Sequence, residues 1–288
     1  MKGLNVRRGF VSEEISFVGA GRSGSMFAIF FKGLGYPVKF IIDCIPEKAV
    51  ELSKRVPGAI AGGMELLKEL SGAVFISVND DAIRDVFLRI WEQNTSPEYF
   101  FHFSGAHSSA LFEEAAKAGK GVGSLHPNIS ISDPEKALRR IRNVDCIIEG
   151  NEKGLRFLTN FLHKASLSVS IIGKKDKVLY HTAAVFSANF TQVLFEISRR
   201  LYVEAGLPDE TARRIVSNYA SVILERIKSE DLIGTLTGPA IRNDVETIKK
   251  ETEELKKLSQ DLSELYELLS KTIISFKGRG NLEHKADN

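Results

Sequence analysis

At 288 residues, with 43% hydrophobic and 26% charged residues, the chain is long enough to bury a substantial core and suggests two domains. Its 39 basic and 37 acidic residues nearly cancel, which leaves no long-range field to gather nucleic acid or an anionic membrane. Met1–Ser12 lacks the apolar run of a signal peptide, no segment approaches the roughly 18 apolar residues of a membrane span, and Cys44 and Cys146 have neither zinc-ribbon nor disulfide spacing; a cytoplasmic protein is expected.

From the N-terminus, short runs rich in Val, Ile and Phe alternate with helix-periodic stretches, the βα alternation of a parallel sheet. Strands are expected at Ile15–Gly19, Val38–Ile42, Ala59–Ala61, Val74–Val78, Tyr99–Phe103, Gly121–Leu125, Cys146–Glu149 and Val169–Ile172. Helices are expected at Ser25–Leu34, Pro46–Arg55, Met64–Leu70, Ala82–Glu92, Leu111–Ala118 and Leu155–Lys164. After about Asp176 the β-branched runs give way to long amphipathic stretches, Lys177–Ala205, Pro208–Ile227 and Val245–Phe276. In the last of these Leu255, Leu258, Leu262, Leu265 and Leu269 draw one apolar stripe, to be packed on the core or on a partner subunit. The fold class is α/β: a doubly wound domain over 12–174, an all-α domain over 175–277, and a frayed tail over 278–288.

The strand Ile15–Val18 runs into Gly19-Ala20-Gly21-Arg22-Ser23-Gly24, which opens a helix. Strand, G-x-G-x-x-G and helix in that order are the fingerprint of a dinucleotide-binding Rossmann turn. Gly19 permits the tight turn, Gly21 lets the backbone approach a pyrophosphate, Gly24 lets helix and strand pack closely, and the helix N-terminus offers free N–H groups to the phosphates. Asp43 ends the next strand, nineteen residues after Gly24, where an acid meets the adenosine ribose. An aspartate there favours NAD over NADP, while nearby Arg22 and Lys48 favour the additional phosphate. NAD or NADP is therefore the expected cofactor, with a lean to NAD.

Ligands of open α/β sheets sit beyond the carboxyl ends of the strands. Val78 ends one strand, and it and the following Asn79 and Asp80 are placed to line the nicotinamide side, with Asp80 or Asp81 also suited to capping the next helix. Ser104 and His126 end two others. Hydride transfer to a carbonyl or imine needs a group that moves a proton, a task suited to a histidine titrating near neutrality. His126 is the first candidate, with Ser104 as its hydrogen-bonding partner. His102 reads as core, and His163 and His284 as surface. No histidine spacing matches a metal-ligand pattern, so no metal is expected. His181 and Asn189 share one face of the first long helix. Thr237, Gly238 and Arg242 open a later one, where a helix N-terminus and a guanidinium suit a substrate carboxylate or phosphate; pairing of Arg242 with Asp244 is the alternative.

These residues, together with His102–Ala106, Ser124–Asn128, Tyr180–Ala184 and Leu236–Asp244, resemble an uncharacterised family of NAD(P)-dependent oxidoreductases that join a Rossmann-like domain to a C-terminal helical domain of unknown function. The resemblance implies a second domain of the 6-phosphogluconate dehydrogenase C-terminal type, as in pyrroline-carboxylate reductase, ketopantoate reductase and prephenate dehydrogenase, closing a substrate cleft over the cofactor and forming a homodimer through its helices. It departs from the hydroxyacid dehydrogenases in having Phe186 where K-x-x-N would place lysine. It departs from the family in having Asn243 for a glycine and Asp43-Cys44 for a Ser-Arg pair. The activity implied is hydride transfer to or from a small anionic carbonyl, imine or hydroxy compound, with His126 moving the proton. Two alternatives stand beside it: a dinucleotide-binding sensor without turnover, and a prephenate-dehydrogenase-like enzyme, which the His126-Pro127 and Ser104-Gly105 layout resembles.

Overall fold

The structure, a computed structural model, describes residues 14–229 and 232–286; the N-terminal stretch with Arg7 and Arg8 and the final two residues lie outside them. Two compact units divide at Gln192 and Val193.

The first unit is built on one eight-stranded sheet of order β3-β2-β1-β4-β5-β6-β7-β8. The strands are β1 (Ile15–Val18), β2 (Val38–Ile42), β3 (Ile60–Gly62), β4 (Ala73–Ile76), β5 (Tyr99–His102), β6 (Gly121–Pro127), β7 (Asp145–Gly150) and β8 (Ser168–Ile171). All eight expected runs are strands. The chain leaves β1 toward β2 on one side and later returns to β4 on the other, so the order reverses between β1 and β4 and opens a crevice at their carboxyl ends.

Successive side chains point to opposite faces, and both faces of the central strands β1 and β4 are buried, which is why they are almost wholly apolar, whereas the edge strand β8 is largely exposed and alternates serine with Val169 and Ile171. Phe17, Phe75 and Phe101 face one way, Val74, Ile76 and Phe100 the other. Helices α1 (Arg22–Gly33), α2 (Pro46–Ser53), α5 (Pro134–Arg140) and α6 (Glu152–Lys164) supply the first layer, with Phe27, Phe31 and Phe161 stacked against Phe75 and Phe103. The second layer holds α3 (Ile83–Gln93), α4 (Glu113–Lys117) and the 3-10 turn Met64–Glu69.

Two features depart from the expected pattern. The sheet is not wholly parallel, because β7 runs antiparallel to β6, pairing Cys146 with Pro127. The connection holds the seven-residue helix α5 and a 3-10 turn over Ile141–Asn143, and the chain re-enters the sheet beside the carboxyl end of β6. The stretch Val245–Phe276 is also not one helix. Ser259 takes an extended conformation (φ −163°, ψ 131°) and ends α11 (Val245–Leu258), and its hydroxyl accepts from Leu262 N at the start of α12 (Gln260–Ala286). Serine competes for backbone donors in this way and so favours helix starts over interiors. The two helices fold back on each other, joined by Ser263 Oγ to the Thr252 carbonyl (3.2 Å) and by Tyr266 to Glu251. The leucine stripe is thus split between two helices.

The stretch from Lys177 is continuous: α7 (Lys177–Val185), a π-helical turn over Phe186–Phe190, and α8 (Thr191–Glu204). The second unit continues with α9 (Asp209–Ser229), the short α10 (Pro239–Arg242), α11 and α12; Arg199 of α8 is bound to Glu196 and to Asp209 at the start of α9. No helix among the described residues is long and apolar enough to cross a membrane. Helix α12 continues to Ala286, past the point where the apolar periodicity ends.

Candidate functional site

Two clefts open in the first unit, at the carboxyl end of the sheet. The first, of about 540 Å³, lies at the β1/β4 reversal and is lined by Gly19, Gly21, Arg22 and Ser23 from the glycine loop, Asp43, Cys44 and Lys48 after β2, Val78, Asn79 and Asp80 after β4, Arg89 of α3, and Phe103 and Ser104 after β5.

Sequence chemistry explains the loop. Gly19 has φ +109°, and a Cβ there would lie 2.5 Å from the Ser77 carbonyl oxygen, so only glycine fits. A Cβ at Gly24 would fall on the Ser77 hydroxyl and the Gly19 carbonyl. Ser77, just past β4, clasps the turn by donating to the Gly19 carbonyl (2.5 Å). At Gly21 the only atom within 4 Å of a built Cβ is the Ser77 carbonyl oxygen, 3.7 Å away. Gly21 is the N-cap of α1, no side chain caps the helix, and its first turn carries no acid, so the amides there keep their positive end for an anion.

Asp43 is buried and holds two backbone amides, accepting from Ala20 N (2.8 Å) through one oxygen and from Ile45 N (2.9 Å) through the other. It therefore ties β2 to the glycine loop while still lining the cleft. Arg22, Lys48 and Arg89 are exposed at its rim.

The second cleft, about 480 Å³, is lined by His126, Asn128, Tyr180, His181 and Asn189, so three of the four expected catalytic residues meet there. His126 Nδ1 lies 2.6 Å from Tyr180 Oη, which donates to Asn128 Oδ1 at 2.6 Å. The His126 and His181 rings sit edge to face at 5.7 Å. Burial, helped by the charges of Lys177 and His181 and opposed by Asp80, lowers His126 to about 4. Burial also raises the Tyr180 phenol to about 12.

Ser104 does not pair with His126. Its hydroxyl donates to Asp80 Oδ2 (2.7 Å), accepts from the amides of Ala106 (3.2 Å) and His107 (3.0 Å), and lies 3.2 Å from His107 Nδ1. A serine at a strand end naturally bonds the amides two and three residues on, which turns its hydroxyl toward its own loop. Asp80 holds Ser104 rather than capping α3, whose N-cap Ala82 has no side-chain bond. His102 is fully buried, accepts from Ser104 N (3.1 Å), and is held near 3, chiefly by burial. His163 is exposed, and His284 lies among residues whose side chains are not described.

Lys177 was not singled out by the sequence. It is 1% exposed, its Nζ donates to the Ser104 carbonyl (2.8 Å), and burial lowers it to about 8, against the opposing pull of Glu149 and Asp80. A buried lysine among such groups marks a built site. Its sequence signal was only a lysine opening an amphipathic helix. Glu149 is equally buried, accepting from Ser109 N (2.7 Å), Ser109 Oγ (2.6 Å) and Ser124 Oγ (3.3 Å).

In the second unit Gly238 (φ +104°) leads into α10, and Thr237 and Arg242 are exposed. Asp244 caps α11 through Thr247 N (3.2 Å) and Thr247 Oγ1 (2.8 Å); among the described residues Arg242 makes no ion pair with it.

The chain is similar to solved structures over nearly its whole length. A Thermotoga maritima protein shares 26% identity with TM-score 0.70, covering 91% of this chain and 99% of its own. A Bacteroides fragilis protein described as a candidate NADP oxidoreductase shares 22% with TM-score 0.72, covering 92% and 98%. The Plasmodium falciparum pyrroline carboxylate reductase with NADP bound shares 17% with TM-score 0.57, covering 92% and 100%. A search of curated proteins finds no match. Residues 144–273, from β7 through most of α12, match the family described as Domain of unknown function (DUF2520).

Proposed function

We propose that this protein is a nicotinamide-dependent oxidoreductase that moves a hydride between its coenzyme and a small anionic carbonyl, imine or hydroxy compound. The observation that carries the reading is the uncapped, acid-free start of α1 behind the Gly19–Gly24 turn, lining a cleft of about 540 Å³ at the point where the strand order reverses. The amides of Arg22, Ser23 and Gly24 suit the pyrophosphate, Asp43 the ribose, and Val78, Asn79, Asp80 and Ser104 the nicotinamide end. When bound, that coenzyme supplies hydride exchange. The chain's own contribution is to orient the substrate and to handle the proton at His126, held by Tyr180. Likeness to a pyrroline carboxylate reductase with NADP bound supports the same class of chemistry.

Asp43 gives the reading a lean to NADH, since its carboxylate welcomes ribose hydroxyls and repels a 2′-phosphate. Calorimetry should find NADH bound more tightly than NADPH. The reverse order would overturn this role for Asp43 and assign the phosphate to Arg22, Lys48 and Arg89; heat from neither coenzyme would end the oxidoreductase reading.

The same proposal makes the protein a homodimer through its C-terminal helices. In the second unit the only buried hydrophobic side chains among the described residues are Ala212 and Ala240, while α9 exposes Tyr219, Val222, Ile223, Leu224 and Ile227. Light scattering should give about twice 31.9 kDa. Ile223→Glu with Leu224→Glu should halve that mass, and a monomeric parent protein would refute the assignment.

A further inference from the structure

Gly105 is where the two clefts approach each other. Its neighbour Ser104 lines the first, and the imidazoles that line the second close over its own Cα. A Cβ built on Gly105 would lie 2.5 Å from His181 Nδ1 and 2.9 Å from His126 Nε2. Two ring nitrogens from different elements, β6 and α7, thus pack against the same face of Gly105, which only a hydrogen can occupy, and are brought close to each other where they border the second cleft.

The two nitrogens have different needs. His181 Nδ1 is buried and has no hydrogen-bond partner. A buried polar atom left in that state is costly and calls for a ligand. The polarity of His126 follows from its neighbours. Tyr180 has one hydroxyl proton and gives it to Asn128, so its oxygen accepts from His126 Nδ1–H. The proton therefore sits on Nδ1, and Nε2 presents a bare lone pair toward Gly105.

Resting on the oxidoreductase reading above, we infer that the two imidazoles grip the reacting group of the substrate and that this group is a hydroxyl. Its O–H donates to His126 Nε2, and its oxygen accepts from His181 Nδ1–H. A carbonyl oxygen has no proton to give and would meet the Nε2 lone pair with another lone pair. The site is therefore built for the alcohol member of an alcohol/carbonyl couple. In the step it serves, the O–H bond breaks and its proton passes to Nε2. The freed electron pair forms the C=O double bond, and the carbinol C–H pair leaves as hydride to an oxidised nicotinamide coenzyme. Lys177, His181 and burial, against Asp80, keep His126 unprotonated beforehand, and Tyr180 remains a neutral phenol.

The test uses the whole protein, labelled with ¹⁵N-histidine and free of coenzyme. At pH 7 the His126 ring should be neutral with the proton on Nδ1, and should stay so down to about pH 5. Lactate/pyruvate, malate/oxaloacetate and 3-hydroxybutyrate/acetoacetate serve as matched probes. In at least one pair the hydroxy acid should shift the Nε2 resonance with about tenfold tighter binding than its oxo partner, the weight of one well-placed hydrogen bond. Gly105→Ala should remove that response. His181→Ala, which does not crowd the fold, should weaken it about tenfold while leaving the His126 tautomer unchanged. A proton on Nε2 or an imidazolium at pH 7, oxo acids acting as strongly as hydroxy acids, or a silent panel would each overturn the hydroxyl assignment. Calorimetry with NADH and NADPH on the same samples separates the two readings: coenzyme binding beside a failed histidine result removes the hydroxyl assignment alone.

Discussion

His126→Ala is expected to lower kcat by about 10²- to 10⁴-fold, the usual contribution of a positioned acid or base, with KM changed far less. The rate is read as nicotinamide absorbance on a substrate turned over by the parent enzyme. Tyr180→Phe should cost less, about tenfold, because it removes only the 2.6 Å partner of Nδ1 and leaves the base in place. The pH dependence has a definite sign. Oxidation of an alcohol needs the imidazole unprotonated, so kcat/KM should be flat from neutral pH downward and fall only toward pH 4. Lys177 is a positioning residue here, since its charge is one of the causes that hold His126 low. Lys177→Met should move the acid limb upward. A parent-like rate in His126→Ala would remove the histidine from the chemistry.

Gly19→Ala should fail in two ways at once. The residue would be forced to φ +109° with its methyl 2.5 Å from the Ser77 carbonyl oxygen. Backbone strain of that kind costs on the order of 1–3 kcal/mol. For a domain of this size that lowers Tm by roughly 2–4 °C per kcal/mol, and the loop's displacement should weaken coenzyme binding by at least about tenfold. Gly21→Ala is the informative companion. Its φ of −74° suits alanine and its methyl would meet nothing closer than 3.7 Å, so Tm should hold while affinity falls. Gly21→Ala binding coenzyme like the parent would show that the phosphates do not ride on this turn.

What the sequence revealed follows from which interactions are local. The central strands were visible because both faces of the sheet are buried there, which demands unbroken apolar runs such as Ala73–Ile76. The glycine loop was visible because a tight turn, a close helix and a bare N-terminus each impose a residue at fixed spacing. The reversal of β7 was not, because a helix-bearing connection of this length suits either a parallel crossover or a return beside β6, and only the pairing of Cys146 with Pro127 decides between them. The break at Ser259 was hidden by leucines that keep helical spacing across it, although a serine followed by Asp261 is a recognisable helix start. Strand ends and helix periodicity point to His126, His181 and Asn189, and these three line one cleft. Ser104 was given the wrong partner, since Asp80 and His107 compete for its hydroxyl through contacts that no spacing encodes. Lys177 is unremarkable in sequence, and its importance comes wholly from being sealed beneath the Ser104 carbonyl.

The π turn at Phe186–Phe190 has a phase of its own. It fits one more residue into a rotation than regular helix allows, so the angular offset between His181 before it and everything after it differs by roughly 100° from that of an unbroken helix. With that offset in place Asn189 borders the same cavity as His181, and Phe186 and Phe190 are left outward at 61% and 48% exposure. Relatives lacking one residue between these positions would present a different side chain beside the histidines, which makes the length of this segment, rather than the identity of any residue in it, a natural point at which such proteins diverge in what they accept.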